Sequence, residues 1–236
     1  MLYCCNGAFK SGSTWLYIIV CNLVGRGEAL PSRFENPKRL NRGLQRELLL
    51  PFLAEVDLTA AHYVIKSHYA DAEAREALTA NPNARVCGVS RDLKDVVVSA
   101  YFHYKRLGET AAPFEEFFWE RGLRVVKRVH AYNELWSAPH PQIYMTRYEA
   151  LHEDFAAEVG RLCEFLGLSP DPALIEAARA NSSFKQQQAK EVQKKGESEH
   201  KFFRSGKARD WVNHLTPEMA AAVDAIQFGH GAPASS

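Results

Sequence analysis

An α/β fold, with a central, mainly parallel sheet flanked by helices, is what this chain predicts, and three observations carry the prediction. Short apolar runs of strand length alternate with longer segments of helical period, an order that covers both faces of a parallel sheet with helices. The polar clusters of the chain each stand directly after one of those apolar runs, where such sheets bind their ligands. The first cluster, Lys10-Ser11-Gly12-Ser13-Thr14, joins a strand-like run to an apolar helical segment through a turn that also holds Gly7. With 236 residues, 46% of them hydrophobic, one domain over 1–230 is expected, with a frayed tail at 231–236.

The elements follow in order. Leu2 to Cys5 is the first strand, and a helix follows Thr14. Gly25 to Pro51 is polar and proline-bearing, and is expected to run over the surface. Ala61 to Lys66 reads as a second strand, Asp71 to Thr79 as a helix closed by Asn81-Pro82-Asn83, and Arg85 to Ser90 as a third strand. Helices are expected at Leu93 to Lys105, Pro113 to Trp119 and Leu123 to Trp136, and a fourth strand at Gln142 to Met145. Phe155, Val159, Leu162, Cys163 and Leu166 share one helical face, with Gly167 as C-terminal cap. Asp171-Pro172 and Thr216-Pro217 each open a helix in cap-then-proline order. Residues 185–209 carry eight Lys or Arg against three Glu, a net +5, and read as a mobile basic segment suited to cover a polyanion.

Composition excludes several classes. A net charge of +1 argues against a general nucleic-acid binder. Five cysteines in apolar surroundings, with no C-x-x-C pair, are expected to be reduced core residues. No basic, apolar, small-residue leader opens the chain, and no apolar run reaches about 18 residues. A cytoplasmic protein without stable membrane insertion is the expectation.

The first cluster has the parts of an anion site. First-turn amide N–H groups lack helical partners, the helix dipole adds positive charge, and Ser11, Ser13, Thr14 and Lys10 add hydroxyls and a counter-charge. Against the template G-x-x-x-x-G-K-[ST], Gly7, Gly12 and Thr14 match, but Ser13 holds the lysine position. Lys10-Ser11-Gly12-Ser13-Thr14-Trp15 resembles instead the PKSGTTW-type 5′-phosphosulfate loop of sulfotransferases that use 3′-phosphoadenosine 5′-phosphosulfate (PAPS), with Phe9 for proline and Ser13 for threonine. Arg91-Asp92-Leu93-Lys94-Asp95-Val96-Val97-Val98-Ser99-Ala100-Tyr101 resembles their 3′-phosphate motif R-x-x-K-D-x-x-x-S-x-Y at every specified position. The segment from Arg204 to Trp211 is similar to their late R-K-G-x-x-G-D-W segment in Arg204, Gly206, Asp210 and Trp211, with Ser205 for lysine and Arg209 for glycine.

The resemblance, spanning about 2–213, implies a P-loop-like α/β fold, PAPS as donor, 3′,5′-bisphosphoadenosine (PAP) as product, and no metal. It implies that Lys66-Ser67-His68 matches K-[ST]-H, with His68 as catalytic base. The ordinary pKa of histidine, near neutrality, suits that role. Lys10 and Lys66 would neutralise charge on the transferring group, and Ser11, Gly12, Ser13 and Thr14 would hold the 5′ side. Arg91, Ser99, Arg204, Ser205 and Gly206 would hold the 3′-phosphate, and Trp15, Tyr148, Ser182 and Phe184 the adenine. The acceptor would be a small molecule bearing a hydroxyl or, second, an amine. Tyr101, Phe102, Tyr104, Phe114, Phe117 and Phe118 would suit an apolar alcohol, and equally a helix core. A P-loop kinase or NTPase, and a non-catalytic nucleotide-binding module of the same fold, stay open at this point.

Overall fold

The computed structural model describes residues 1–35, 43–195, 206 and 208–229. From its start the chain runs through β1 (Leu2–Gly7), α1 (Ser13–Val24), α2 (Leu49–Glu55), β2 (Tyr63–Ser67), α3 (Ala72–Ala80), β3 (Ala84–Ser90) and α4 (Leu93–Arg106). There follow α5 (Phe114–Phe117), a π-helical stretch at Phe118–Gly122, α6 (Leu123–Ser137), β4 (Ile143–Arg147), α7 (Tyr148–Glu153) and α8 (Phe155–Phe165). The series closes with α9 (Pro172–Ser182), α10 (Phe184–Lys195) and α11 (Pro217–Phe228).

The expected parallel sheet is present, in the order β2-β1-β3-β4. β1 has β2 on one side and β3 on the other, so the crossover direction reverses at its carboxyl end, the place where open α/β sheets bind ligands. Side chains alternate along β1. Cys5 points with Val64 and Cys87 into a core shared with Leu16 and Val20 of α1 and Leu162 of α8. Cys4 and Asn6 meet Ser67 on the other face. Each fully buried Leu or Val contributes roughly 1.5–3 kcal/mol from removal of its surface from water, which makes this core the main support of the sheet.

The chain forms two compact units, Met1–Ser90 with Tyr132–Ser183, and Arg91–Ala131 with Phe184–Ser236. The first holds the sheet. The second is helical, with Tyr101 of α4 meeting Phe114 and Phe117 at ring-centroid distances of 5.2 and 5.3 Å. Tyr101, Phe117 and Phe118 are buried, so these rings serve as core in that unit rather than as an open pocket wall.

Three expectations need correction. The 25–51 stretch is not simply a surface excursion: Leu30, Phe34, Leu44 and Leu49 are buried, and Phe34 meets Phe52 edge-on at 5.2 Å. Pro51 does not exclude a helix, because it sits in the first turn of α2, where its missing N–H costs nothing. The start of the basic segment is helix α10, with Gln187 buried, rather than loop; 196–205 and 207 lie outside the described residues. The helices expected at Pro113 to Trp119 and Leu123 to Trp136 run on through the π-helical stretch. The tail expected at 231–236 also lies outside the described residues.

Candidate active site

Residues 8–12 turn the chain from β1 into α1. Ser11 N–H donates to the Ala8 carbonyl at 3.2 Å, and both Lys10 and Gly12 have left-handed backbones, at φ 62° and 98°. A left-handed lysine is uncommon, and such backbones are held by their surroundings, often where a ligand is gripped. Two close approaches explain the glycines. A Cβ on Gly7 would lie 2.5 Å from Ser13 Cβ, and one on Gly12 would lie 2.7 Å from Tyr148 Cδ2. Gly12 is also the N-cap of α1, and no side chain among the described residues caps it. The first-turn N–H groups are therefore left for an anion. Ser11 Oγ is buried with no hydrogen-bond partner among the described residues. A buried hydroxyl in that state costs about 1–3 kcal/mol, and a phosphate oxygen would satisfy it. This loop fits the 5′ end of the nucleotide that the resemblance implies.

His68 follows β2 and is exposed, with its Nδ1 2.6 Å from the carbonyl oxygen of Gly7. A carbonyl only accepts, so in the neutral ring the proton sits on Nδ1 and the lone pair on Nε2. The imidazole stands beside the 8–12 loop with Nε2 as its acceptor nitrogen. Lys66, on β2, is half-buried and aligned with Cys5 of β1.

Sequence reasoning missed what holds His68. Asn6, fully buried, accepts from Ser67 Oγ at 3.0 Å and from Tyr69 N–H at 2.8 Å, and donates to the Tyr69 carbonyl at 3.2 Å. Trp136 Nε1–H donates to that same carbonyl at 2.8 Å, and Tyr132 O–H to the Asn6 carbonyl at 2.7 Å. The residues on either side of His68 are thus clamped by one buried amide. A polar residue inside an apolar strand is the signal that could have found it, since a buried amide must be matched by partners.

Three of the residues assigned to the adenine come together. Trp15 Nε1–H donates to Ser182 Oγ at 3.2 Å, and Trp15 meets Tyr148 edge-on at 5.4 Å. The fourth, Phe184, belongs to the second unit, where it lies against Gly206: a Cβ on that glycine would be 2.4 Å from Phe184 Cδ2.

In the second unit Asp92 caps α4 by accepting from Lys94 N–H at 2.8 Å. Arg91 Nη2 lies 3.4 Å from Asp95 Oδ2, the pairing expected of an ordinary strand-to-helix junction. Asp95 is buried and does more than pair: its two oxygens accept from Arg209 N–H at 2.7 Å and Trp211 N–H at 2.9 Å. The carboxylate of the 3′-phosphate motif therefore ties the late motif to α4. Arg209, where the resembled motif has glycine, has φ 60°, which explains the glycine. Ser99 is half-buried on α4, two turns beyond Arg91, while Arg204 and Ser205 lie outside the described residues.

Burial sets the thiol chemistry beneath the loop. It pushes Cys4 up to about 12, a hydrogen bond with Ser67 opposing it, and it also raises Cys5 and Cys87. None of these is a thiolate near neutral pH.

Comparison with known proteins identifies the family. Residues 6–227 match the family described as Sulfotransferase domain. Sulfotransferase 1E1 of Bos taurus is 27% identical over 237 residues, covering 91% of this chain and 78% of its own. Cytosolic sulfotransferase 7 of Arabidopsis thaliana is 29% identical over 247 residues, covering 92% and 74%. Among solved structures, mouse sulfotransferase SULT7A1 complexed with PAP superposes with a TM-score of 0.68 at 17% identity, over 96% of this chain and 81% of that one. Retinol dehydratase in complex with androsterone and PAP superposes at 0.69 and 19%, over 95% and 78%. The kinase reading gives way to these matches, and the chain belongs to the sulfotransferase domain family.

Proposed function

We propose that the protein transfers a sulfuryl group from PAPS to a hydroxyl of a small-molecule acceptor, or to an amine as second choice, in the cytoplasm, within one sulfotransferase-like domain over 1–230. When bound, PAPS supplies the sulfuryl group and leaves as PAP. His68 Nε2 takes the acceptor's proton as its oxygen becomes a nucleophile. Lys10, the first-turn N–H groups of α1 and the Ser11 hydroxyl hold the 5′ end, and meet negative charge developing on the leaving oxygen. Lys66 shares that load. Such transfers depend on positioning and charge stabilisation more than on covalent participation. Arg91, Ser99 and Arg204, with Ser205 and Gly206, are assigned the 3′-phosphate, and Trp15, Tyr148, Ser182 and Phe184 the adenine; the motif matches support these roles.

The observation that carries the reading is the 2.6 Å contact of His68 Nδ1 with the Gly7 carbonyl, which leaves a basic Nε2 beside a loop suited to an anion. A relative described as Flavonol 3-sulfotransferase and neighbours bound to androsterone or retinol favour phenols and apolar alcohols as first candidates. The test is PAPS-dependent sulfation across a panel of phenols, sterols, aliphatic alcohols and amines. Sulfated product with PAP release is expected. PAP binding without transfer to any acceptor would instead favour a non-catalytic nucleotide-binding module.

A further inference from the structure

Away from the motif residues, the second unit holds a half-open cavity of about 310 Å³ lined by Tyr104, Arg121, Arg124, Val125 and Arg128. Among the described residues, three arginines and no acidic side chain line it. Arg121 stacks over the Tyr104 ring, its Cζ 4.6 Å from the centroid, and donates through Nη1 to the Glu109 carbonyl at 2.9 Å. Arg124 donates through Nη2 to the Glu120 carbonyl at 2.9 Å. Each anchoring bond uses one of five guanidinium donors, so both groups are fixed in place with most of their N–H groups left for a ligand. Among the described residues neither has a carboxylate partner.

The local backbone builds this wall. Arg121 lies in the π-helical stretch Phe118–Gly122, and Arg124, Val125 and Arg128 recur on one face of α6. Gly122 seats the stretch against α4, since a Cβ there would be 2.8 Å from Val97 Cγ2. Single π turns inside helices are costly and are found often at functional sites. The cavity also differs in direction from the nucleotide residues. At about 100° per residue, Tyr104 is about 140° around α4 from Ser99. The cavity therefore opens from another face of α4 than the one assigned to the 3′-phosphate.

The geometry points to a second binding site, for a small organic anion: one oxyanion group, as carboxylate, sulfate ester or phosphate ester, on a ring that rests against Tyr104 and Val125. Planar guanidinium forks match such oxygens in pairs, and a ring beside stacked Arg and Tyr gains contact area. The volume, at the small end of ligand pockets, suits a single substituted ring and not a polymer. This inference does not rest on the sulfuryl-transfer reading.

The test is calorimetric titration of the full chain with phenyl phosphate, phenyl sulfate, benzoate and phenol, without PAP and with PAP saturating. Saturable one-to-one binding of at least one anion and none of phenol is expected, unchanged by PAP. Arg124→Gln/Arg128→Gln, two exposed positions, should weaken that binding at least tenfold while circular dichroism and melting temperature hold. Lys127→Gln, also exposed on α6 but outside the lining, should leave it within twofold. Absence of saturable binding, equal affinity in the double variant, or an equal loss in Lys127→Gln would overturn the site. Binding abolished by PAP would assign the anion to the nucleotide face and overturn it as well, and PAP failing to bind would count against the nucleotide reading alone.

Discussion

Asn6 shows most plainly what single residues do here. In sequence it is a polar letter among cysteines; in the fold its amide clamps Ser67 and Tyr69 on both sides of His68. Asn6→Ala would take away the acceptor of the buried Tyr69 N–H and of the Ser67 hydroxyl, and a loss of roughly 2–3 kcal/mol in urea unfolding is expected. A loss under about 0.5 kcal/mol would mean that the clamp is idle. Arg209 gives a prediction of opposite sign. Its φ of 60° strains a side-chain-bearing residue by about 1–2 kcal/mol, so Arg209→Gly should be neutral or stabilising, and Arg209→Val destabilising, in the same assay. The cysteines give a third. With Cys4, Cys5 and Cys87 buried and their thiols shifted up, native protein should react with a thiol reagent at Cys21 first, and at those three only on unfolding. Prompt reaction of all five in the native state would contradict the buried assignment.

At the scale of elements, the turn from β1 into α1 carries the account. Gly12→Ala forces a Cβ into Tyr148 and a left-handed alanine at once, so a loss of about 1–3 kcal/mol and weakened PAP binding are expected together. Unchanged PAP affinity in a folded variant would remove the loop from the nucleotide. The N-cap of α3 carries a pH effect. Asp71 is held below the usual carboxylate range, first by its hydrogen bonds from Arg46, at 2.8 and 2.7 Å, against a smaller opposing effect of burial. A depressed folded-state pKa gives stability that is present above the unfolded value of about 3.9 and is lost as pH falls through the lower folded value. Wild type should therefore exceed Arg46→Gln in stability at pH 7, and the gap should close toward pH 2; a gap that widens in acid would contradict the pairing.

These elements also mark how far the sequence could be read. All four strands, α1, α4, α8, α9 and α11 were legible because their apolar periods and caps are local: Thr216 accepts from Met219 N–H, and Asp171 from Ala173 N–H, as their positions before Pro217 and Pro172 foretell. α2 was not, because Pro51 reads as a breaker unless its place in the first turn is known. α10 was not, because its Lys- and Gln-rich sequence has little apolar period. In the candidate site, the motif residues could be named one by one from their local patterns. The clamp around His68 was not, since its partners lie 61 to 126 residues apart.

For the molecule as a whole, the sheet order sets where the assigned residues stand in the chain: β1 is flanked by β2 and β3, the 8–12 loop follows β1, His68 follows β2, Arg91 follows β3 and Tyr148 follows β4. A net charge of +1 over the whole chain suits one small polyanion better than a nucleic-acid strand. The proposal that one nucleotide engages both the 5′ and the 3′ motif can be probed with Arg91→Ala. PAP affinity should fall at least tenfold while adenosine 5′-phosphosulfate, which lacks the 3′-phosphate, binds as before; equal losses for both would contradict the assignment.

The most direct measurement compares wild type with His68→Ala on an acceptor that wild type sulfates, reading kcat for PAPS-dependent transfer and, by calorimetry, the Kd for PAP. The account predicts that kcat falls by about 10²–10⁴-fold, the usual reach of a general base, while the Kd for PAP stays within about twofold. Turnover that survives the substitution at wild-type rate would show that the imidazole on the Gly7 carbonyl is not the base.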